Sequence, residues 1–99
     1  MAGNQRLSKH CYERAVELGT VKLGANHPLV GRGYAQLGRI ASKSGDLVNA
    51  REKFQRAVAS LRVSMGVVHA FTRGVEKNLK NVESKISRRE LNIGVIQEE

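Results

Sequence analysis

Ninety-nine residues are enough for one small domain. Seventeen Lys/Arg against nine Asp/Glu leave a net charge of +8, which suits an acidic peptide, a nucleic acid or an anionic surface without choosing among them. A lone cysteine, Cys11, excludes an intrachain disulfide and a Cys-based zinc site, and no stretch approaches the roughly 18 consecutive apolar residues that a membrane span needs.

One Pro and 4% aromatic residues point to an all-α chain. The first expected helix, 5–23, carries an apolar stripe of Leu7, Cys11, Ala15 and Leu18 at spacings of 4, 4 and 3. Cys11 reads there as a small packed hydrophobe. Gly24-Ala25-Asn26-His27-Pro28 ends that helix and starts the next, with Pro28 suited to the first helical position. The helix at 28–43 aligns Val30, Tyr34, Leu37, Gly38 and Ala41. Ser44-Gly45-Asp46 then makes a tight turn, with Gly45 in the left-handed conformation and Asp46 as a cap. Leu47, Ala50, Phe54, Ala57, Val58 and Leu61 give the third helix, 46–65, which Gly66 closes. Phe71, Val75, Leu79, Val82 and Ile86 give the fourth, 69–89. The period is lost after Glu90, so residues 1–90 read as a single helical domain and 91–99, with Leu91, Ile93, Val95 and Ile96, as a flexible C-terminal tail. The opening residues Met1 to Arg6 lack the apolar run of a signal peptide, and the expected location is cytoplasmic or nuclear.

The chain repeats itself with a 42-residue offset. Tyr12 to Leu29 aligns with Phe54 to Phe71, with identities at Arg14/Arg56, Ala15/Ala57, Val16/Val58, Val21/Val63, Gly24/Gly66 and His27/His69. Within Gly31 to Arg62 the small residues Gly38, Ala50 and Ala57 alternate with the fillers Tyr34, Leu37 and Phe54 around the turn at Gly45. In these positions the stretch resembles a tetratricopeptide repeat. The period and the Gly-x-x-His-Pro linker resemble the kinesin-light-chain variety, and similar linkers occur in the helical C-terminal regions of SET/MYND-type lysine methyltransferases. The resemblance covers one full repeat flanked by two half repeats. It implies an antiparallel α-solenoid fragment of about four helices, and a non-catalytic protein–protein interaction module. The chain departs from the family pattern at Arg62, where many repeats have Pro, and at Lys80 and Glu83, where a following helix needs small residues. The fourth helix therefore resembles a polar C-terminal cap, and the first lacks the helix that would precede it.

Arg32, Gln36, Arg39 and Lys43 recur at 4, 3 and 4 on one face of the second helix, away from Tyr34, Leu37 and Ala41. Lys77, Asn81 and Lys85 are their counterparts on the fourth. The resemblance makes this face a concave groove that would take an acidic peptide or partner domain; the plainer reading is a solvated basic face. The family's carboxylate clamp needs donors from three successive helices, so the groove is carried over and the clamp is not. His27 and His69 read as recurring caps or, alternatively, as a metal or pH-sensing pair. His10 and Cys11 are adjacent and so lie about 100° apart on a helix, which does not make a metal site. Val30-Gly31-Arg32-Gly33-Tyr34 lacks the Gly-Lys-Ser/Thr ending of a phosphate loop, and no spaced acid–base pair is present. No cofactor and no metal are expected. Lys85-Ile86-Ser87-Arg88-Arg89 reads as a solvated helix end or, alternatively, as a weak nuclear-import or nucleic-acid patch. The alternatives are a small nucleic-acid-binding protein, which the charge alone supports, or a tail fragment of a larger SET/MYND-type enzyme. The apolar residues of the first helix cover more than one face, and this points either to a homodimer through that helix or to its docking onto a partner domain.

Overall fold

The computed structural model describes residues 2–66 and 68–98, with side chains over 7–66 and 68–90. Four helices follow one another: α1 (Ala2–Leu23), α2 (Pro28–Lys43), α3 (Leu47–Ser64) and α4 (Ala70–Glu98). No strand occurs among the described residues. The core of each expected helix is in place, and the largest difference is at the end of α4, which continues past residue 89 to Glu98. The side chains of the Leu91-to-Ile96 cluster lie outside the described residues.

The breaks between helices are built from local chemistry. At the α2–α3 turn Gly45 takes φ +87°, a left-handed conformation also found at Gly24 and Gly66. The Asp46 amide donates to the Ala41 carbonyl at 3.0 Å and the Gly45 amide to Ser42 at 3.1 Å, so two carbonyls at the end of α2 are satisfied. Asp46 then caps α3, accepting from the Asn49 amide at 3.2 Å. His27 does the same for α2, its Nδ1 accepting from the Leu29 amide at 3.2 Å. His69 repeats the bond to the Phe71 amide at 3.1 Å. The recurring histidine is thus a helix cap in both repeats.

The helices pack as neighbours in sequence, α1 on α2, α2 on α3 and α3 on α4, in a slab of 53 × 35 × 20 Å. Ala50, Ala57 and Leu61 are fully buried, and Phe54 is the largest side chain at the centre. Gly38 is what lets α2 approach it: a Cβ at that position would stand 2.8 Å from the Phe54 ring. On the α4 side Val75 and Val82 are buried, with Phe71, Leu79 and Ile86 packed around them. Ser60 ties the α1–α2 linker to α3, its hydroxyl donating to the Ala25 carbonyl at 2.8 Å.

One expected face is corrected. The stripe Leu7, Cys11, Ala15 and Leu18 does not pack; all four residues are exposed, Cys11 included. The side of α1 that meets α2 carries Val16, with Tyr12 half-buried beside it, against Val30 and Leu37. Both sides of α1 are apolar, and α2 supplies a partner for one of them only.

Candidate functional site

Because α2 and α4 are separated by one repeat, residues 42 apart occupy matching positions on the two helices. Both helices rest on α3, and a cleft of about 260 Å³ opens between them. Arg39, Ser42 and Lys43 line it from α2, and Asn78, Asn81, Val82 and Lys85 from α4, with Phe54 below. The pairs Arg39/Asn81 and Lys43/Lys85 are each one repeat apart. Of the seven residues read as a groove from spacing, Arg39, Lys43, Asn81 and Lys85 come together here.

The other three do not. The Arg32 guanidinium lies 5.5 Å from the centroid of the Phe71 ring, a cation–π contact near the starts of α2 and α4. Gln36 is half-buried outside the cleft lining, and Lys77 is exposed outside it. Two lining residues were not singled out by spacing. Ser42 is the neighbour of Lys43, and Asn78 sits one repeat after Gln36. The signal that leads to Asn78 is helical spacing on α4, since it lies three and seven residues before Asn81 and Lys85 and so shares their face.

Electrostatically the cleft is one-sided. Arg39, Lys43 and Lys85 are exposed cations, and no carboxylate is among the lining residues. The ion pairs among the described residues are elsewhere, Arg56–Glu52 at 3.5 Å and Arg62–Glu76 at 2.8 Å. Arg89 is engaged nearby, Nη1 donating to the Gly45 carbonyl at 3.4 Å. The neutral groups, Ser42, Asn78 and Asn81, all carry hydrogen-bond donors. The floor is apolar but closed, since Phe54 is 2% exposed and Val82 3%. The cleft thus presents positive charge and hydrogen-bond donors around a closed apolar floor.

A second, more apolar groove of about 460 Å³ lies between α1 and α3 over α2, lined by Glu13, Val16, Glu17, Thr20, Val21, Tyr34, Leu37 and Lys53. The Lys53 ammonium and the Arg56 guanidinium lie 5.9 Å and 5.8 Å from the Tyr34 ring centroid. Tyr34, through its hydroxyl, and then Glu52 push the Arg56 pKa above the usual arginine value. Among the described residues no group of three or more His, Cys, Asp or Glu is placed to hold a metal. No helix there is long and apolar enough to cross a membrane.

No curated protein and no solved structure matches the chain. A family model does: the tetratricopeptide repeat model matches residues 2–62, which takes in α1, α2 and most of α3. With the helical pairs, the left-handed glycine turn and the Gly38–Phe54 contact in place, the chain belongs to the tetratricopeptide repeat family.

Proposed function

We propose that this chain is a non-catalytic protein–protein interaction module that holds an acidic peptide, or an acidic segment of a partner protein, in the cleft between α2 and α4. The observation that carries this reading is the cluster of Arg39, Lys43 and Lys85 around a cleft with no carboxylate in its lining. Membership of an interaction-repeat family supports it. Exposed cations are not confined to the cleft, since Arg14, Lys22, Arg62, Lys80 and Arg88 lie elsewhere. That spread favours nucleic acid as the second reading. The cleft itself offers no exposed aromatic face for a base to stack on, because its one ring, Phe54, is buried.

The test is retention of a Glu-rich peptide by the wild type and by an Arg39→Glu/Lys85→Glu variant, with circular dichroism as the folding control. Both side chains are exposed, so the variant keeps its helicity and loses the peptide. Added salt weakens wild-type binding, since exposed charges are screened over about 8 Å at physiological ionic strength. Undiminished binding by the variant sinks the cleft as the site.

A second contact surface is proposed on the outer face of α1, where Leu7 is 65% and Leu18 49% exposed. Here a second copy of the chain covers the apolar strip. In a closed two-fold pair the same helix meets its own copy.

A further inference from the structure

We propose that the acidic group recognised in the α2/α4 cleft is a phosphoryl group on a partner's side chain, in preference to a carboxylate. The inference rests on the docking reading above and narrows it. The cleft is small: about 260 Å³ lies below the roughly 300–1,000 Å³ of sites for drug-sized ligands, so it takes one or two side chains of a bound segment. Three exposed cations line that volume, Arg39 and Lys43 from α2 and Lys85 from α4. None of the three makes an ion pair among the described residues. One carboxylate brings a single negative charge and two oxygens, which leaves most of this set unanswered. A phosphoryl group brings about −1.5 to −2 charges at neutral pH and three acceptor oxygens.

The neutral lining agrees with this. Asn78 and Asn81 each present an amide NH₂, and Ser42 a hydroxyl, so the cleft supplies hydrogen-bond donors beside its cations. Arg39 adds a planar guanidinium fork that meets two phosphoryl oxygens at once. Val82 and Phe54 close the floor beneath these groups. The partner is accordingly a segment phosphorylated on Ser or Thr, held by charge at one residue and by amide hydrogen bonds beside it.

The experiment uses three degenerate peptide pools that differ only at a fixed central residue: phosphoserine, Glu or Ser. Retention on the immobilised full chain is compared with retention on two variants, Arg39→Glu/Lys85→Glu and Asn81→Asp, each checked for wild-type helicity. The expected result is retention of the phosphoserine pool on the order of tenfold above the Glu pool, lost in both variants. Equal retention of the Glu and phosphoserine pools, both above Ser, overturns the phosphoryl inference and leaves the acidic-peptide reading standing. Retention of no pool above Ser overturns both. A single-stranded oligonucleotide that displaces the phosphoserine pool, and whose own binding the Arg39→Glu/Lys85→Glu variant abolishes, overturns the peptide assignment in favour of nucleic acid.

Discussion

Two buried hydroxyls show how differently one group behaves with and without a partner. Ser60 is 3% exposed and donates to the linker carbonyl of Ala25, so its polar atom is satisfied. Thr72 is fully buried in the first turn of α4, and its hydroxyl has no partner among the described residues. Removing the first loses a hydrogen bond and leaves a carbonyl short of a donor; removing the second relieves an unmet polar group. Ser60→Ala should therefore destabilise by about 1 kcal/mol, and Thr72→Val should be neutral or stabilising by about 1 kcal/mol. Paired thermal melts check both signs. Neither hydroxyl was legible in the sequence, because serine and threonine carry no periodic signal that separates a tertiary partner from solvent. The histidines were legible in outline. Their recurrence at 42 residues marks them as part of the repeat, and the cap geometry at His27 and His69 gives the reason.

At the scale of the element, α2 and α3 were readable in detail because their ends are set locally and their buried faces have one clear period. Asp46 and Gly45 stop and restart the chain within three residues, and Ala50, Phe54, Ala57, Val58 and Leu61 are all buried as the spacing requires. Phe54→Ala should cost about 3–5 kcal/mol by leaving a cavity beneath Gly38. Ala57→Leu should cost about 1–3 kcal/mol by forcing α3 off its neighbours. Chemical denaturation of the two variants tests this, and wild-type midpoints for both would refute the core assignment. Helix α1 was less readable because both of its sides are apolar, so periodicity could not say whether Val16 or Leu18 turns inward. The end of α4 was missed because Gly94 and the loss of amphipathic period argue against helix, yet the backbone stays helical to Glu98. Of the stripe on α2, Arg39 and Lys43 reach the cleft, while Arg32 stands over the Phe71 ring and Gln36 lies outside the lining.

For the whole molecule, the question is what completes the stack. Helix α4 turns Lys80 and Glu83 to solvent, a polar end that needs no cover. Helix α1 leaves Leu7, Leu18 and Val21 at 65%, 49% and 81% exposure. Sedimentation equilibrium at micromolar concentration should find a dimer for the wild type and a monomer for Leu7→Glu/Leu18→Glu, with unchanged helicity in the variant because neither side chain packs in the single chain. A wild-type monomer across that range refutes self-association through α1.

The order of helix contacts has a further consequence, for the way the chain gains and loses structure. Among the described residues every principal interface joins helices adjacent in sequence, and α1 and α4 share none. Folding of this kind closes only short loops, which places it in the microsecond-to-millisecond class of helical proteins. Opening is graded in the same way, as in a zipper with two free ends. Helix α1, held by α2 alone, is released at less cost than the α2–α3 pair around Phe54, so amide exchange should be fastest in α1 and slowest in the central hairpin. The cleft draws one wall from α2 in that centre and the other from α4, which is held principally by α3, so release of α1 leaves it in place while release of α4 removes it.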